Sequence, residues 1–346
     1  MIKVGTIGSS QITEQFIQAC QLTSLYHVRA AYSRSEANGK DLSEVYQLDY
    51  YTTDLNTLLF DPEIDLIYIA SPNSIHFDQA MRALRAGKHC IIEKPMFVNV
   101  DQWHEAYDLA EKMGVYIFEG IKNIHNRNYL KLKQLVQNKL SEKEHPFLGA
   151  NLNFAKFSSR YLEYLNADQA GLELPNIFNP EFAGGTLMDL GVYPIYVATD
   201  LFGLPETVRY NAVKGSNGID LYGTIVLVYQ EFQVSIFISK SVHSNLTSEI
   251  YIDDETIVIH DISEIKRVDL INQKGQEATL ISYTPENPLY DELIYFAEMI
   301  QADKDIHNQL RYEDNKQLSL QVVQTLQLLA KSADLNLASS SDQTNF

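Results

Sequence analysis

Three groups of residues in this chain have the types and spacing to do chemistry. Lys94 stands in Glu93-Lys94-Pro95, directly after the apolar run His89-Cys90-Ile91-Ile92. That run reads as a buried parallel strand, which puts the ammonium at the strand's carboxyl end, where open α/β sheets hold their ligands. Asp189 and Tyr193 lie four residues apart in an apolar stretch, residues 187–202. Helical spacing would put this carboxylate and phenol on one face. Gly8-Ser9-Ser10-Gln11 falls between a strand and a helix, where a helix N-terminus favours an anion. The chemistry on offer is phosphate binding at the turn, and binding or proton transfer at a hydroxyl by the lysine, phenol and carboxylate.

The elements that must position these groups follow from the hydrophobic pattern. Residues 2–7 read as a strand, and Ile12, Phe16, Ile17 and Cys20 share one face of the helix after it. Strand, tight turn and helix form the phosphate-binding unit of a Rossmann fold, whose usual fingerprint is G-x-G-x-x-G. Here it reads Gly8-x-Ser10-x-x-Thr13, with Gln11 and Ile12 opening the helix. A small residue at position 10 still permits close backbone approach to a pyrophosphate, although an ordinary βα turn fits the same residues. The second strand, 28–33, ends in Ser33-Arg34-Ser35. An acidic residue there would bind a ribose 2′-hydroxyl, whereas Arg34 and two hydroxyls suit a 2′-phosphate. NADP is therefore preferred over NAD, with a solvated Arg34 as the alternative. Residue 66 begins an apolar strand that ends at Ser71-Pro72-Asn73-Ser74-Ile75-His76. Helices over 77–86 and 100–113 flank the strand before Lys94, and a strand over 115–119 closes the half. This alternation predicts an α/β fold with a doubly wound parallel sheet over residues 1–122.

Taken together, these residues resemble the Gfo/Idh/MocA oxidoreductases. The pieces are the Gly8 turn, Ser71-Pro72-Asn73 with His76, Ala86-Gly87-Lys88-His89 leading into Glu93-Lys94-Pro95, and Gly184-Gly185-Thr186-Leu187-Met188-Asp189-Leu190-Gly191-Val192-Tyr193. They keep the family's order and rough spacing over nearly the whole chain. Tyrosine at 193, where the family often has histidine, is similar to the branch with glucose-fructose oxidoreductase and the dihydrodiol and xylose dehydrogenases. The resemblance implies a nucleotide-binding Rossmann domain, 1–122, and a second α/β domain, 123–346. The second would carry an open, mainly antiparallel sheet that often joins subunits into a homodimer or homotetramer. It also implies hydride transfer at a hydroxyl or carbonyl carbon of a sugar, polyol or dihydrodiol-like substrate.

In that reading Lys94 is the active-site lysine, Asn73 and His76 lie beside the nicotinamide ribose, and Pro95 shapes the backbone near the ring. Gly8, Ser10, Gln11, Ile12, Ser33, Arg34, Ser71, Pro72 and Glu93 complete the cofactor set. Tyr193 is the expected proton-transfer group. A free phenol titrates near about pH 10, too high for an efficient base, and a nearby ammonium such as Lys94 lowers that value. Asp189 would bind a substrate hydroxyl or orient the lysine. Lys122 and His125, in the run Gly120-Ile121-Lys122-Asn123-Ile124-His125, are weaker substrate-binding candidates. Two other readings stay open. One is a nucleotide- or sugar-responsive regulator with the same fold. The other is an epimerase or glycosidase that reduces and reoxidises a tightly bound cofactor within one cycle.

The rest of the chain sets limits. At 346 residues with net charge -18, the surface repels nucleic-acid phosphates and anionic membranes. The first strand leaves no room for a signal peptide, no apolar run is long enough to span a bilayer, and Cys20 and Cys90 read as buried thiols, all consistent with a cytoplasmic protein. No metal is expected: Asp253-Asp254-Glu255 reads as a turn that nothing completes. Helical spacing appears over 130–140, a strand over 147–157, and a long polar segment over 158–180 that is either a lid or a surface excursion. Pro194 requires the helix to start or bend near Tyr193. Strands follow from residue 208, with a hairpin near Glu231. Two amphipathic helices, 289–300 and 314–330, close the chain, and the polar tail from Ser339 is expected to fray.

Overall fold

The computed structural model describes residues 1–141, 146–301 and 305–337; the tail from Ser339 lies outside the described residues. The chain divides into two compact units. Among the described residues the first contains Met1–Ile121 and Pro285–Gln317, the second Lys122–Thr284 and 318–337.

Among the described residues the first unit holds six strands: β1 (Ile2–Ile7), β2 (Tyr26–Tyr32), β3 (Tyr50–Thr52), β4 (Leu66–Ile69), β5 (His89–Glu93) and β6 (Ile117–Gly120). They pair in the order β3-β2-β1-β4-β5-β6, every pairing parallel. β4 is buried at all four positions and β5 at four of five. Uninterrupted burial is what helices on both faces of a parallel sheet require. The strand order reverses between β1 and β4, so the switch point lies between the Gly8 turn and the loop after Ile69.

A single cut after residue 122 was the expectation from sequence; the chain instead returns to the first unit at 285–317. The reason is packing. The helix Tyr290–Gln301 contributes Leu293, Phe296, Ala297 and Met299 to the same core as Val4, Phe16, Tyr68 and Phe118. Phe296 stacks on Phe118 at 4.7 Å, and the Tyr26 hydroxyl donates to the Leu293 carbonyl at 2.7 Å.

The second unit holds β7 (Phe147–Ala155), β8 (Thr207–Lys214), β9 (Asp220–Val228), β10 (Gln233–Ser239), β11 (Ser248–Ile252), β12 (Glu255–His260), β13 (Arg267–Ile271) and β14 (Glu277–Ser282). Their order is β14-β13-β12-β11-β7-β10-β9-β8, antiparallel throughout except that β10 and β7 run parallel. In β10, Val234, Ile236 and Ile238 are buried while Gln233 and Phe237 are exposed, the alternation of a sheet covered on one face. The expected α/β architecture, a Rossmann sheet followed by a mainly antiparallel one, is therefore present.

Two elements differ from the sequence reading. The polar segment 158–180 contains a helix, Tyr161–Ala170, and two short 3-10 turns. Only Tyr164 and Ala167 of that helix are buried, Tyr164 in a small satellite core with Phe178, Ile219 and Leu221, so no apolar stripe marks it. The last helix begins at Ile306 rather than near 314 and runs to Ser332. Its first half is largely exposed, which hides it from a search for buried periodicity.

Phe296→Ala should cost about 3–5 kcal/mol, the usual range for emptying a buried aromatic site. Urea denaturation followed by circular dichroism measures it, and a loss below about 1 kcal/mol would remove residues 285–317 from the first unit's core.

Candidate active site

The Gly8 turn is built by close approach of backbone. Gly8 has φ +115, and a Cβ there would come within 2.6 Å of the Ala70 carbonyl oxygen. Its N–H donates to the Tyr32 carbonyl at 3.1 Å. Any other residue would be strained and would clash with β4's end, so the one glycine retained from the fingerprint is the one this geometry demands. Ser10 is the N-cap of the helix Gln11–Thr23, yet its side chain makes no cap hydrogen bond. That side chain therefore leaves the first helical amides uncovered, while the Thr13 N–H donates to the Ser10 carbonyl at 2.9 Å. Gln11 is exposed and Ile12 half-buried. The hydroxyls of Ser9 and Ser33 lie 3.4 Å apart, joining this turn to the end of β2. Ser33 is buried, while Arg34 and Ser35 are exposed, with Ser35 capping the helix Glu36–Tyr46 through the Asn38 N–H.

The other predicted cofactor residues gather after β4 and β5. His76 is 1% exposed and ties the two loops together. Its Nε2 lies 2.8 Å from the Ser71 carbonyl oxygen and its Nδ1 3.2 Å from that of Pro95. Burial holds the imidazole's pKa below its ordinary value, against those backbone contacts, and the Lys94 charge pushes it the same way. Pro72 leads into the short 3-10 turn Asn73–Ile75. The Lys94–Pro95 peptide bond is cis, Pro95 is buried and Lys94 is half-buried. Two carboxylates brace this loop from below. Glu93 Oε1 accepts from the Tyr68 hydroxyl at 2.6 Å, and Glu119 Oε1 accepts from the Met96 N–H at 3.0 Å. Ser74 Oγ, beside Asn73, is buried with no hydrogen-bond partner among the described residues.

These features fit a nicotinamide dinucleotide. The uncovered helix amides and the glycine cradle suit its pyrophosphate. An exposed guanidinium beside two serines suits a phosphate on the adenosine ribose, and the orphaned Ser74 hydroxyl lies in the loop expected to meet the other end.

In the second unit the Gly184-Gly185-Thr186 run is packed against fixed carbonyls and one carboxylate. A Cβ at Gly184 would lie 2.7 Å from the Ile177 carbonyl oxygen. Gly185 has φ +109, and its Cβ would overlap Asp220 Oδ1. Asp220 is 2% exposed; its Oδ2 accepts from the Leu187 N–H at 2.7 Å and the Tyr210 hydroxyl at 2.8 Å. Thr186 Oγ1 answers by donating to the Leu221 carbonyl at 2.7 Å. Burial pushes the Asp220 carboxyl above its ordinary pKa, while the hydrogen bonds and the Lys240 charge oppose the rise.

The clamp launches a five-residue π-helical turn, Leu187–Gly191, that passes into the α-helix Val192–Phe202. Pro194 thus falls in the first α-helical turn, directly after the wide turn, so of the start or bend expected near Tyr193 the structure shows an α-helical start, at Val192. Asp189 sits in the wide turn with its side chain 32% exposed. Tyr193 is 9% exposed, edge-on to Phe154 at 5.5 Å between ring centroids. Asn123 Nδ2 donates to the Tyr193 carbonyl at 3.2 Å and the Ile262 carbonyl at 3.1 Å, fixing the helix start from behind. Lys122 Nζ is engaged with Glu264 Oε1 at 3.1 Å, and His125 is buried.

Sequence reasoning passed over one functional candidate, Lys240. Its ammonium lies 2.9 Å from Asp189 Oδ2 with only 1% of its side chain exposed. A lysine between two serines after a strand reads as solvated; its signal is the spacing of Ile236 and Ile238, which puts residue 240 on the same buried face.

Comparison with known proteins agrees with this architecture. Residues 2–121 match the family model described as an oxidoreductase family with an NAD-binding Rossmann fold, and residues 155–258 match the GFO/IDH/MocA C-terminal domain. An uncharacterized oxidoreductase of Escherichia coli, YgjR, is 32% identical over 300 residues, covering 87% of this chain and 88% of that protein. The scyllo-inositol 2-dehydrogenase (NADP(+)) of Bacillus subtilis is 31% identical over 304 residues, covering 88% and 90%. Among solved structures, an NAD binding oxidoreductase from Klebsiella pneumoniae superposes with a TM-score of 0.79 at 18% identity, covering 98% of this chain and 99% of that one. At that identity the likeness speaks for the fold. The chain belongs to the Gfo/Idh/MocA family. It is an oxidoreductase with that family's NAD(P)-binding fold, and none of its described helices is long and apolar enough to cross a membrane.

His76 generates a test. With a folded pKa below the unfolded value of about 6.5, the unfolded chain binds more protons in acid. The stability tied to this group is complete above about pH 6.5 and falls as pH drops, by at most about 1.36 kcal/mol per pH unit. Replacing His76 by Asn should flatten the acid limb of stability between about pH 7 and 5 in urea titrations. Parallel limbs for the two proteins would mean that His76 titrates normally.

Proposed function

We propose that the protein is an NADP-preferring dehydrogenase or reductase that acts on a CH–OH group of a sugar, polyol or dihydrodiol-like substrate. The observation that carries this is the loop pair at the ends of β4 and β5. A buried imidazole joins the two loops, a carboxylate braces each side, and a lysine stands in the middle. That much construction around one ammonium is more than a solvated surface lysine needs.

The first unit would hold the dinucleotide through Gly8, Ser10, Gln11, Ile12, Ser33, Arg34, Ser71, Pro72, Asn73, His76, Glu93, Lys94 and Pro95. When bound, the nicotinamide supplies the hydride acceptor or donor. Arg34, with Ser33 and Ser35 and no acidic residue at the end of β2, favours a 2′-phosphate by a charge-assisted hydrogen bond. The name of the Bacillus subtilis relative, which specifies NADP(+), supports the same preference.

The second unit would hold the substrate. Tyr193 gives or takes the proton of the reacting hydroxyl, and Lys94 supplies the positive charge that favours the anionic form of the oxygen. Asp189 accepts from a further substrate hydroxyl. Lys122 and His125 flank that pocket, Lys122 through a position already set by Glu264. Relatives named for scyllo-inositol, D-xylose and trans-dihydrobenzenediol oxidation make those compounds the first panel to assay. The open face of the second sheet, with Leu148 and Phe237 exposed, is where copies of the chain would pair.

Lys94→Met and Tyr193→Phe should each lower turnover on the best substrate of that panel by about 10²–10⁴, the range for a proton-transfer group. NADPH affinity, read by fluorescence titration, should change little in Tyr193→Phe. Full activity in either variant would sink its assignment. Arg34→Ala should weaken NADPH about tenfold or more while leaving NADH nearly unchanged, from loss of a charged hydrogen bond. Equal weakening of the two nucleotides would remove Arg34 from cofactor choice.

A further inference from the structure

Lys240 is the largest buried charge that the proposed chemistry does not use. It follows β10 directly, and its main chain is locked on both sides: its N–H donates to the Leu221 carbonyl at 3.0 Å, and its own carbonyl accepts from the Ser158 N–H at 2.9 Å. The side chain runs inward. Its Nζ donates to the Ile177 carbonyl at 3.2 Å and lies 4.9 Å from the centre of the Phe178 ring. Its ion-pair partner is Asp189 Oδ2, at 2.9 Å, and its charge also acts on the buried Asp220 carboxyl.

The pair is asymmetric. The ammonium is 1% exposed, whereas the Asp189 side chain is 32% exposed. Taking an ammonium out of water costs several kcal/mol, and an ion pair is seldom the most stabilising way to fill an interior. The Lys240 charge also offsets the buried Asp220 carboxyl, but that task does not require a second, partly exposed carboxylate at 189. What the arrangement achieves is a carboxylate gripped from the protein side and presented from a wide helical turn. π-helical turns of this kind are frequent at functional sites.

We infer that Lys240 is a positioning residue that holds Asp189 as an ionised hydrogen-bond acceptor for a substrate hydroxyl, and so selects neutral polyhydroxylated substrates. This rests on the reading of Asp189 as a substrate-binding group. An ionised carboxylate has no proton to donate, so the group facing it must be a donor. A hydroxyl qualifies, and a substrate carboxylate or phosphate at that position is repelled. Lys240 itself stays behind Asp189, Phe178 and the Ile177 carbonyl, and acts through the carboxylate.

The test is a cycle of four full-length chains: wild type, Lys240→Met, Asp189→Asn and the double variant. Each is assayed with NADPH or NADP(+) and the best substrate of the panel above. Lys240→Met should raise KM about ten- to hundredfold, with a smaller change in kcat, as expected for loss of a charged hydrogen bond. NADPH affinity should stay within about twofold of wild type, because the proposed nucleotide-binding residues all belong to the first unit and the pair to the second. In the Asp189→Asn background the same substitution should change kcat/KM less than about threefold, since the group it positions is already altered. An equal loss in both backgrounds would mean that Lys240 serves packing alone and would overturn the inference. Should Lys240→Met fail to fold by circular dichroism, Lys240→Gln keeps a polar donor, one bond shorter, without the charge, and an unchanged KM there overturns it as well. A wild-type chain inactive on every compound of the panel defeats the proposed function and this inference together. An active wild type with an additive cycle defeats only this one.

Discussion

A carboxylate cut off from water, Asp220, is the constraint on which the second unit depends. It takes the Leu187 N–H and the Tyr210 hydroxyl on one oxygen, and its other oxygen fills the space where Gly185 would carry a side chain. An unpaired buried carboxylate would be very costly, so these donors cannot be given up singly. Satisfying Asp220 dictates a glycine with positive φ, a threonine that bonds back to the strand carrying Asp220, and an amide at the start of the wide turn. Asp189 and Tyr193 inherit their positions from that arrangement. Removing either donor leaves a buried acceptor with too few partners, and the turn that aims Asp189 would shift to compensate.

The first unit solves a different problem by a related route. Its loops must come close enough to a ligand for main-chain atoms to touch it, yet must not collapse on each other. At Gly8 the approach is limited by the Ala70 carbonyl, which leaves no room for a Cβ. Between β4 and β5 the spacer is an imidazole. A neutral ring has one donor and one acceptor nitrogen, and here both nitrogens face carbonyl oxygens. One nitrogen thus holds a hydrogen bond while the other rests near a carbonyl it cannot donate to. The nearby Lys94 charge and full burial both oppose protonation. His76 serves as a fixed strut between loops.

How much of this was legible in the sequence divides along physical lines. The parallel sheet was plain because its strands are continuous apolar runs: β5 and the helix Val100–Met113 fall where the pattern puts them. The second sheet was readable wherever one face is dry, as at Val234, Ile236 and Ile238. β14 was missed because it buries only Ile281. The helix Tyr161–Ala170 was missed for the same reason, with two buried residues in ten. Long-range returns were invisible: nothing local says that Phe296 belongs with Phe118 rather than with the sheet next to it in sequence. In the candidate site, Gly8, His76, Lys94, Asp189 and Tyr193 stood out by motif. Asp220, Asn123 and Lys240 did not, because each acts through contacts that reach 33 to 139 residues away in sequence, beside the nearer Tyr210–Asp220 bond, and no local pattern encodes them.

Lys240 and Lys122 also show how a chain of net charge -18 can hold cations in fixed positions. Exposed lysines on such a surface are drawn into weak, screened pairs worth little. Lys240 is removed from that competition by burial: it pairs with Asp189, its charge acts on Asp220, it meets a carbonyl and an aromatic face, and it has almost no access to solvent. Lys122 is held by Glu264 on a loop that asparagines 126 and 128 fasten by its main-chain carbonyls. The asparagines carry no charge, so they fix the loop at any pH and salt concentration. Ionic groups are thereby kept for positions where sign matters, and neutral amides do the bracing behind them. In an acidic protein this division would let a carboxylate such as Asp189 face the neutral ligand proposed above without the surrounding negative surface dictating its partner.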